Sequence, residues 1–402
     1  MPEKYFKNDD FKDSVCIIGM GCTKFGERWD VGLQDLIIDA AYEAFDDAGI
    51  KPSDVQACYF ANTNAPNNCS GTPVTDALKI HGIPVTRNEN WCTSGHIALI
   101  NACLAVKSGM CDIAMAIGAE KLKDKGYAGM GVGRGLDPVR EARRDAPGSF
   151  ALIAEKYAKK YGYTYDELKE ALAKIDIKNH YNGSLSPRAH FHNQITMEQV
   201  LKAGTIASPL GLFDCCGTSD GAACAIICSA EIAKKFKKNP IYVKGFGCAT
   251  DMITPHYRNR NFDWTSFEAL RNCAKMAYDM AGIKDPRKEL DVAEVHDCFS
   301  ITELCIYEDF GFSKRGEAVK DIANGVFERT GELPVNVDGG LKCFGHPVGA
   351  SGIRMTYEVY HQLLGNVDNP ARQLNNPSLG LSQTFGGPPQ IAACLIIGNK
   401  KG

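Results

Sequence analysis

The chain has 402 residues, of which 44% are hydrophobic, and its formal net charge is −3. This length allows a large core and predicts two or three domains. The charge excludes a protein built as a basic binder of nucleic acid or of anionic membranes. Apolar runs such as residues 222–228 are too short to span a bilayer, and residues 1–7 lack an apolar signal region. We therefore expect a cytoplasmic protein.

The sequence contains 17 cysteines. In a reducing compartment we expect free thiols that mostly pack as small core side chains. Cys-x-x-Cys does not occur in the sequence, and the pair Cys224 and Cys228 lies inside an apolar run. The sequence therefore predicts neither a zinc site nor an iron–sulfur cluster, and we assign no metal to the protein.

Two segments of the chain follow one pattern, which predicts a tandem duplication. Residues 15–22 form an apolar run that ends in a glycine turn, and residues 241–248 repeat it. Each run precedes an amphipathic helix, over residues 33–48 and 267–281, that a glycine closes. Strands that alternate with helices of this length predict βαβ units, and hence an α/β fold with a mostly parallel sheet.

The alternation of strands and helices breaks between Lys121 and Pro209. Residues 126–135 are rich in glycine but do not fit a phosphate-binding or dinucleotide pattern, so we expect a flexible loop there. A helical, basic segment follows, which predicts an insertion into the first half. The predicted domains are residues 1–120 with 206–238 for the first half, 121–205 for the inserted loop domain, and 239–402 for the second half.

Cys92 precedes an apolar run of helical length that starts at Thr93 and continues to Gly109. At a helix N-terminus the free backbone N–H groups and the helix dipole favour a thiolate. The backbone N–H of Cys92 is also available to an oxyanion. Cys92 is therefore a candidate nucleophile. The alternative is a core cysteine near a helix cap.

The tetrapeptide His-Asp-Cys-Phe at residues 296–299 follows a strand-like run over residues 291–295. If the strand continues to Cys298, the imidazole of His296 and the thiol of Cys298 share one face. An imidazole titrates near neutrality, and a thiol is both a proton donor and a nucleophile. The pair could handle protons in carbon–carbon bond chemistry. The alternative is a core cysteine beside a hydrogen-bonded histidine.

Two glycine-rich loops add further candidates. His346 lies among five glycines and before Pro347 at the entrance of a helix predicted over residues 353–364, so its ring has a fixed direction, as a general base needs. The alternative is a surface turn histidine. Gly386 and Gly387 precede an apolar strand over residues 391–397, and their bare backbone N–H groups could face an oxyanion. The alternative there is a hairpin turn.

The order of these motifs over a duplicated α/β chain resembles the thiolase superfamily, and the resemblance covers essentially the whole chain. The motifs that carry it are Cys92 before a helix, His-Asp-Cys-Phe at 296–299, Gly-His-Pro at 345–347 and Phe-Gly-Gly at 385–387. The resemblance implies the thiolase fold, a five-layered αβαβα arrangement of two duplicated, mostly parallel-sheet halves with an inserted loop domain.

Ordinary thiolases carry Asn-Glu-x-Phe where this chain has His-Asp-Cys-Phe, and they place a second catalytic cysteine where this chain has Thr384. The chain thus resembles the sterol-carrier-protein type of thiolase, in which the cysteine of His-Asp-Cys-Phe supplies the acid/base thiol. Within that type it most resembles the thiolase subunit of (S)-2-benzoylsuccinyl-CoA thiolase from anaerobic toluene degradation. It next resembles the archaeal acetoacetyl-CoA thiolases.

The resemblance implies an enzyme, a C-acyltransferase that cleaves a 3-oxoacyl-CoA with coenzyme A or runs the reverse Claisen condensation. Cys92 would be the nucleophile and His346 its base, while His296 and His346 would donate to the enolate oxygen. Cys298 would be the acid and base. The backbone N–H groups of Cys92 and of Gly386 or Gly387 would form the oxyanion hole. Coenzyme A enters as a co-substrate, and no permanently bound cofactor is expected.

The resemblance also implies partners. These are acyl-CoA substrates, a second copy of the chain in a homodimer, and a small zinc-ribbon/OB-fold subunit. The coenzyme A phosphates need cations, and candidates in the predicted loop domain are Arg134, Arg140, Arg143 and Arg144. The alternative for these arginines is a solvated charged face.

Other functions stay open. A decarboxylating ketoacyl synthase shares the fold but uses Cys-His-His or Cys-His-Asn without a second thiol. A related aldolase subunit lacks the nucleophile, so the presence of Cys92 argues against it. A different class is a non-catalytic, thiolase-like scaffold that holds an acyl-CoA shuttle protein.

Overall fold

The computed structural model describes residues 10–63, 70–126, 146–252, 261–387 and 390–402. Its strands are β1 (Val15–Cys22), β2 (Ala57–Ala61), β3 (Val85–Asn88), β4 (Ile113–Glu120), β5 (Thr205–Ala207), β6 (Leu210–Gly211), β7 (Gly221–Ser229), β8 (Ile241–Thr250), β9 (Val292–Glu294), β10 (Leu379–Gly386) and β11 (Ile391–Gly398).

The α-helices of the first half and of the segment that interrupts it are α1 (Leu33–Ala48), α2 (Thr72–Leu78), α3 (Ser94–Lys107), α4 (Ala146–Tyr161), α5 (Tyr165–Ser184), α6 (Met197–Lys202) and α7 (Ala233–Phe236). Those of the second half are α8 (Glu268–Ala281), α9 (Pro286–Glu289), α10 (Ser300–Asp309), α11 (Ala318–Ala323), α12 (Gly340–Phe344) and α13 (Val348–Leu364). The helices predicted over 33–48 and 267–281 are therefore present as α1 and α8, within one residue at each end.

A nine-stranded sheet runs in the order β3-β2-β4-β7-β1-β8-β11-β10-β9, and β5 pairs with β6. The pairs β2–β3, β2–β4 and β9–β10 are parallel. The pairs along the middle of the sheet are antiparallel. Strands β1 to β4 therefore run in one direction, and β7 is the strand of the first half that runs against them. Strands β8, β9 and β10 also share a direction, and β11 runs against them. Each half is thus mostly parallel in strand direction, as predicted.

Five layers follow from the three core clusters. One cluster packs α1 and α2 on one face of the first-half strands. A second contains α3 and α13 together with strands of both halves, so these two helices form the central layer. The third packs α8 and α10 on the far face of the second-half strands and continues into α4 and α5. The chain therefore has the α/β, five-layered architecture that the motifs imply.

The duplicated strand–helix pairs pack in the same way. A Cβ on Gly21 of β1 would overlap the carbonyl oxygen of Ala40 in α1, and a Cβ on Gly247 of β8 would overlap the carbonyl oxygen of Cys273 in α8. The glycine two residues earlier in each strand also lies against its helix, one turn further along. Only glycine permits this close approach of strand and helix, so the shared glycine turn has a packing role in both halves.

Several sequence predictions remain outside what the fold can test. The domain limits at residues 120, 205 and 238 stay a prediction. Arg134, Arg140, Arg143 and Arg144 lie outside the described residues. Within the described ranges, no helix has the length and apolar character needed to cross a membrane. The cysteines there are all free thiols, and most of them are buried.

Candidate active site

Cys92 lies two residues before the start of α3, in a turn held by its neighbours. Trp91 adopts a left-handed backbone with φ of 51°, which is uncommon for a bulky residue. The hydroxyl of Ser94 accepts a hydrogen bond of 2.8 Å from the backbone N–H of Asn90, and the Thr93 hydroxyl donates to the Asn90 carbonyl at 2.6 Å. These bonds fix the turn and place the half-buried Cys92 side chain beyond the helix end.

The surroundings of the Cys92 thiol favour its protonated form. Burial raises its pKa to about 12, although the backbone N–H groups of Cys92 and Gly387 favour the thiolate. The carboxylates of Glu89 and Glu120 raise the pKa further. The helix N-terminus alone therefore does not favour a thiolate here, and Cys92 would need a base to act as a nucleophile.

His346 is one candidate for that base. Gly345 has φ of 73°, and the backbone N–H of His346 donates to the carbonyl of Gly217 at 3.0 Å, so the loop is fixed. The Nδ1 atom lies 2.8 Å from the Ser351 hydroxyl, which itself donates to the Pro347 carbonyl at 3.0 Å. Because Ser351 has only one proton to give, Nδ1 must carry the ring proton. Nε2 is then left with a free lone pair and has no hydrogen-bond partner among the described residues.

His296 lies against the same space. Its ring centroid is 4.9 Å from that of His346 at an angle of 86°, and 4.4 Å from the ring of Phe385. Neither ring nitrogen of His296 has a hydrogen-bond partner in the described part of the chain. Burial lowers the pKa of His346 to about 3 and also lowers that of His296, with positive charge on Arg354 adding to the effect. Both imidazoles are therefore neutral at pH 7.

The strand before the tetrapeptide is shorter than a shared face for His296 and Cys298 requires. β9 ends at Glu294, and residues 295–297 are irregular. The hydroxyl of Thr302, in the first turn of α10, lies 3.0 Å from the carbonyl of His296 and 2.6 Å from that of Phe299. These bonds turn the chain into the helix. His296 and Cys298 are therefore placed by a turn and not by strand alternation.

Cys298 still belongs to the same site. Its buried sulfur lies 3.9 Å from the Thr302 hydroxyl. Burial raises the pKa of the Cys298 thiol, and the nearby thiols of Cys216 and Cys92 raise it further. Cys298 is therefore a neutral thiol that can donate a proton. It lies close enough to Cys92 for the two thiols to interact electrostatically.

Asp297 bonds residues outside the cluster of Cys92, His296 and His346, a role that the sequence does not indicate. Its carboxylate accepts hydrogen bonds from the backbone N–H groups of Leu341 at 2.6 Å and Lys342 at 3.1 Å, at the start of α12. It also accepts one from the Asn179 amide at 2.9 Å. Since α12 leads directly to His346, Asp297 connects the two histidine-bearing segments.

Thr384 occupies the place where ordinary thiolases carry the second cysteine. Its hydroxyl is 2.7 Å from Nδ1 of the buried His96, and Nε2 of His96 is 2.9 Å from the Ser382 hydroxyl. Phe385, the next residue along β10, packs on His296 instead. The Thr384 side chain is therefore engaged with α3 and leaves Cys298 as the motif thiol of the site.

The loop at Gly386 and Gly387 packs on the turn that carries Cys92. A Cβ on Gly386 would lie 2.8 Å from Cβ of Trp91 and 3.3 Å from the backbone nitrogen of Cys92. Gly387 has φ of 70°, and a Cβ there would lie 2.5 Å from the Trp91 ring. The two glycines thus allow the β10 backbone to approach Cys92, with the Gly387 N–H directed at its sulfur.

The sulfur of Cys92 and one nitrogen each of His296 and His346 lie within 4.8 Å of one another. A thiol and two neutral imidazoles are a donor set that zinc accepts, so these three residues could hold a metal ion. They are also the set that a cysteine nucleophile with a base and an oxyanion donor needs. The expectation that the protein works without a metal stays a prediction.

Some of these residues left only weak signals in the sequence. Ser351 follows His346 by five residues in a glycine-rich stretch of the sequence, and a hydroxyl near a histidine is too common to assign. Asp297 stands inside the motif, but its partners come from residues far along the chain. The strained backbone of Trp91 has no sequence signature, since tryptophan does not favour φ above zero.

Comparison with known proteins agrees with this geometry. Residues 15–231 match the family described as "Thiolase, N-terminal domain", and residues 252–399 match "Thiolase C-terminal domain-like". Together the two matches cover both halves of the duplicated chain.

Two relatives and one solved structure extend the match. "Acetyl-CoA acetyltransferase" of Methanothermobacter thermautotrophicus is 37% identical over 389 residues, which is 95% of this chain and 99% of the relative. "Benzoylsuccinyl-CoA thiolase subunit BbsB" of Thauera aromatica is 32% identical over 341 residues, or 84% of this chain and 86% of the relative. The structure titled "Ltp2-ChsH2(DUF35) aldolase" superposes with a TM-score of 0.82 at 23% identity, over 97% of this chain and 98% of that one.

The structural likeness, at that identity, shows the fold alone. The family matches and the identities above 30% show more, because they extend over nearly the whole length of the sequences compared. The archaeal relative is more similar than BbsB, which reverses the order expected from the motifs. The chain belongs to the thiolase family of acyltransferases.

Proposed function

We propose that the protein is a thiolase that cleaves a 3-oxoacyl-CoA with coenzyme A, or runs the reverse Claisen condensation, through an acyl-cysteine on Cys92. The observation that carries the proposal is the convergence of the Cys92 sulfur with nitrogens of His296 and His346 within 4.8 Å. A neutral thiol beside an imidazole with a free lone pair can act as a nucleophile, because the imidazole can accept the thiol proton when substrate binds.

The first step uses His346. Its Nε2 takes the Cys92 proton as the sulfur attacks the 3-keto carbon, and Ser351 holds the ring through Nδ1. The tetrahedral oxyanion accepts hydrogen bonds from the backbone N–H groups of Cys92 and of Gly386 or Gly387. Loss of one such donor typically raises the barrier by about 3 kcal/mol.

The second step breaks the bond between the α and β carbons and leaves an acyl group on Cys92. The departing thioester enolate accepts hydrogen bonds from His296 and from His346, which now carries the proton. Cys298 protonates the enolate carbon, and it then deprotonates the incoming coenzyme A, whose thiolate releases the acyl group. The raised pKa of Cys298 suits proton donation to a carbanion.

Two substrates have support. Acetoacetyl-CoA is favoured by the archaeal acetyl-CoA acetyltransferase, because it is 37% identical over 95% of this chain. Benzoylsuccinyl-CoA, with benzoyl-CoA and succinyl-CoA as products, is the second candidate and rests on the 32% identity to BbsB. Coenzyme A is the co-substrate in both cases, and its phosphates would meet the basic segment that contains Arg134, Arg140, Arg143 and Arg144.

We also propose that the chain forms a homodimer and works with a small zinc-ribbon/OB-fold subunit in the cytoplasm. Support for the small partner comes from BbsB, which is named a subunit, and from the structural neighbour, which is titled as a complex with a DUF35 protein. Co-purification of a small protein expressed with this chain would test the partner directly.

The function is tested by trapping the acyl-enzyme. Without free coenzyme A, the parent protein incubated with acetoacetyl-CoA should gain the mass of one acetyl group, and peptide mapping should place it on Cys92. Cys92→Ser should gain none, while Cys111→Ser, a buried cysteine beyond the end of α3, should behave as the parent. Acylation of the Cys92→Ser protein would overturn the assignment.

Thiolysis assays, together with the acylation test, separate the other functions. Thiolysis rates with acetoacetyl-CoA and benzoylsuccinyl-CoA, with and without the small partner, identify the substrate. A ketoacyl synthase would show turnover only with malonyl-CoA as the second substrate. A scaffold would show neither acylation nor thiolysis, and either result would refute the proposed activity.

A further inference from the structure

A third cysteine faces the acid/base thiol across a short antiparallel contact. Cys215 and Phe299 form an isolated antiparallel bridge. The backbone N–H of Cys216 donates to the carbonyl of Cys298 at 2.9 Å, and that of Ser300 donates to the carbonyl of Asp214 at 3.1 Å. The segment after the inserted region is thus paired with the tetrapeptide that carries His296 and Cys298.

The register of this bridge places Cys216 directly opposite Cys298. When residues 215 and 299 pair in antiparallel fashion, the next residue on one side meets the previous residue on the other. Opposite residues project to the same face, with Cα atoms about 4.5 to 5.5 Å apart. A disulfide needs Cα atoms about 4.4 to 6.8 Å apart. An antiparallel pair in this register therefore meets the spacing that a disulfide between Cys216 and Cys298 requires.

We propose that Cys216 is a redox modification site, at which a small-molecule disulfide converts Cys216 and Cys298 into an intramolecular disulfide. The Cys216 thiolate attacks one sulfur of the reagent, forms a mixed disulfide and expels one thiolate. Cys298 then loses its proton and attacks the Cys216 sulfur, which expels the second thiolate. Both departing thiolates take up the two protons, so two protein thiols and one reagent disulfide become one protein disulfide and two small thiols.

Exposure sets the order of these steps. Cys216 is partly exposed, whereas Cys298 is buried, so the reagent reaches Cys216 first. Burial raises the pKa of the Cys216 thiol, and the ammonium group of Lys342 partly offsets this effect. A thiol with a raised pKa reacts through a small thiolate fraction, so the exchange should accelerate with pH.

A second cysteine pair in the core shows why proximity alone is not enough. The sulfurs of Cys273 in α8 and Cys394 in β11 lie 3.4 Å apart. Both side chains are fully buried, so a dissolved disulfide cannot reach either of them. This pair should stay reduced under conditions that oxidise Cys216 and Cys298, and it serves as an internal control.

The consequence for activity rests on the proposed function. A disulfide removes the proton of Cys298 and fixes its sulfur, so an oxidised protein has no acid or base for the enolate carbon. In molecules whose Cys92 stays free, acyl transfer to it is still allowed while α-proton exchange stops. The modification is reversed by any excess dithiol.

The experiment uses cystamine as the disulfide reagent and peptide mapping as the main readout. We expect a cross-linked pair of peptides that contains Cys216 and Cys298, loss of thiolysis in proportion to the cross-linked fraction, and recovery of both with dithiothreitol. Cys216→Ser and Cys216→Ala should keep more thiolysis in cystamine than the parent and form no cross-link at Cys298, whereas Cys215→Ser, one residue away on the opposite face, should be inactivated like the parent. Two variants at residue 216 guard against one that fails to fold, which melting curves would reveal.

Three results would overturn the inference: no peptide that joins Cys216 to Cys298, a cross-link from Cys298 to Cys92 in its place, or equal inactivation of both residue-216 variants. The map does not depend on catalysis. A complete cross-link with undiminished thiolysis would support the modification site and refute the acid/base role of Cys298, so the two proposals fail separately.

Discussion

In the first half of the molecule, β1 packs on α1 through Gly21, and in the second half β8 packs on α8 through Gly247 in the same way. The chemistry of the halves differs. The first half provides the sulfur of Cys92, whereas the second provides His296, Cys298 and His346 from the loops after β9 and α12. The duplicated strands and helices thus form the frame, while the segments that follow them, which are not repeated, carry the residues of the candidate site.

Removing the base from the second half should have the largest effect. His346→Ala leaves the Cys92 thiol, whose pKa is raised to about 12, without a proton acceptor. We expect kcat for thiolysis to fall by about 10²- to 10⁴-fold, the usual range for a general base. Steady-state kinetics would measure it. His361→Ala, a histidine of α13 that bonds only Asn366 among the described residues, is the matched control and should keep its activity.

Removing the acid should separate the two steps of the reaction. Cys298→Ala should still form the acyl-enzyme on Cys92, but overall turnover should fall by about 10²-fold or more because the enolate carbon has no proton donor. Deuterium exchange into the α position of acetyl-CoA, followed by mass spectrometry, should drop to the background rate. Cys305→Ala, a buried cysteine of α10 outside the site, is the control. Undiminished exchange in Cys298→Ala would contradict the division of roles.

Stability measurements can test whether the two frames are equivalent. Gly21→Ala and Gly247→Ala each force a methyl group into a helix carbonyl, so each should lower the free energy of unfolding by about 1 to 3 kcal/mol. Gly204→Ala, where a Cβ meets no atom within 4 Å, should have little effect. Urea unfolding would measure all three. A large loss at only one of the two packed glycines would show that the halves are held together differently.

The smallest effect concerns the resting state of Cys92. Burial raises its pKa to about 12 and lowers that of His346 to about 3, so between these values the pair is neutral. Alkylation by iodoacetamide needs the thiolate, whose fraction grows with pH below the thiol pKa. The rate at Cys92 should therefore rise about tenfold per pH unit between about pH 6 and pH 9.

Cys92→Ser provides the background from the other partly exposed thiols in this alkylation assay. A rate that is already constant above about pH 6 would indicate a thiolate–imidazolium pair instead. The nucleophile of the first half would then be activated without help from substrate.

Local sequence signals were enough for much of this architecture. Gly49 and Gly282 end α1 and α8 as expected, with φ of 69° and 82°. Cys92 precedes a helix because a mostly apolar run of helical length follows Thr93 and Ser94. The glycines on each side of His346 likewise predicted a fixed loop. Each of these features depends on residues within about one helical turn of each other, which is why the sequence reveals them.

Features that depend on contacts between distant parts of the chain could not be predicted from the sequence. The end of β9 at Glu294 depends on the Thr302 hydroxyl and on Asp297, whose carboxylate is held by Leu341. No local pattern distinguishes this irregular turn from three more residues of strand. The pairing of residue 215 with 299 joins segments 84 positions apart, so the sequence could not place Cys216 opposite Cys298.

The amide of Asn179 in α5 donates to both Asp297, at 2.9 Å, and Glu303, at 2.8 Å, while the neighbouring Lys178 forms an ion pair with Glu303 at 2.7 Å. Helix α5 thus helps to hold the tetrapeptide of the second half. A chimera that takes α5 from a relative in order to change acyl specificity would therefore also change how the tetrapeptide is held. A replacement helix without an amide and an ammonium at these two positions would deprive two buried carboxylates of some of their hydrogen-bond donors, so substrate choice and turnover would change together.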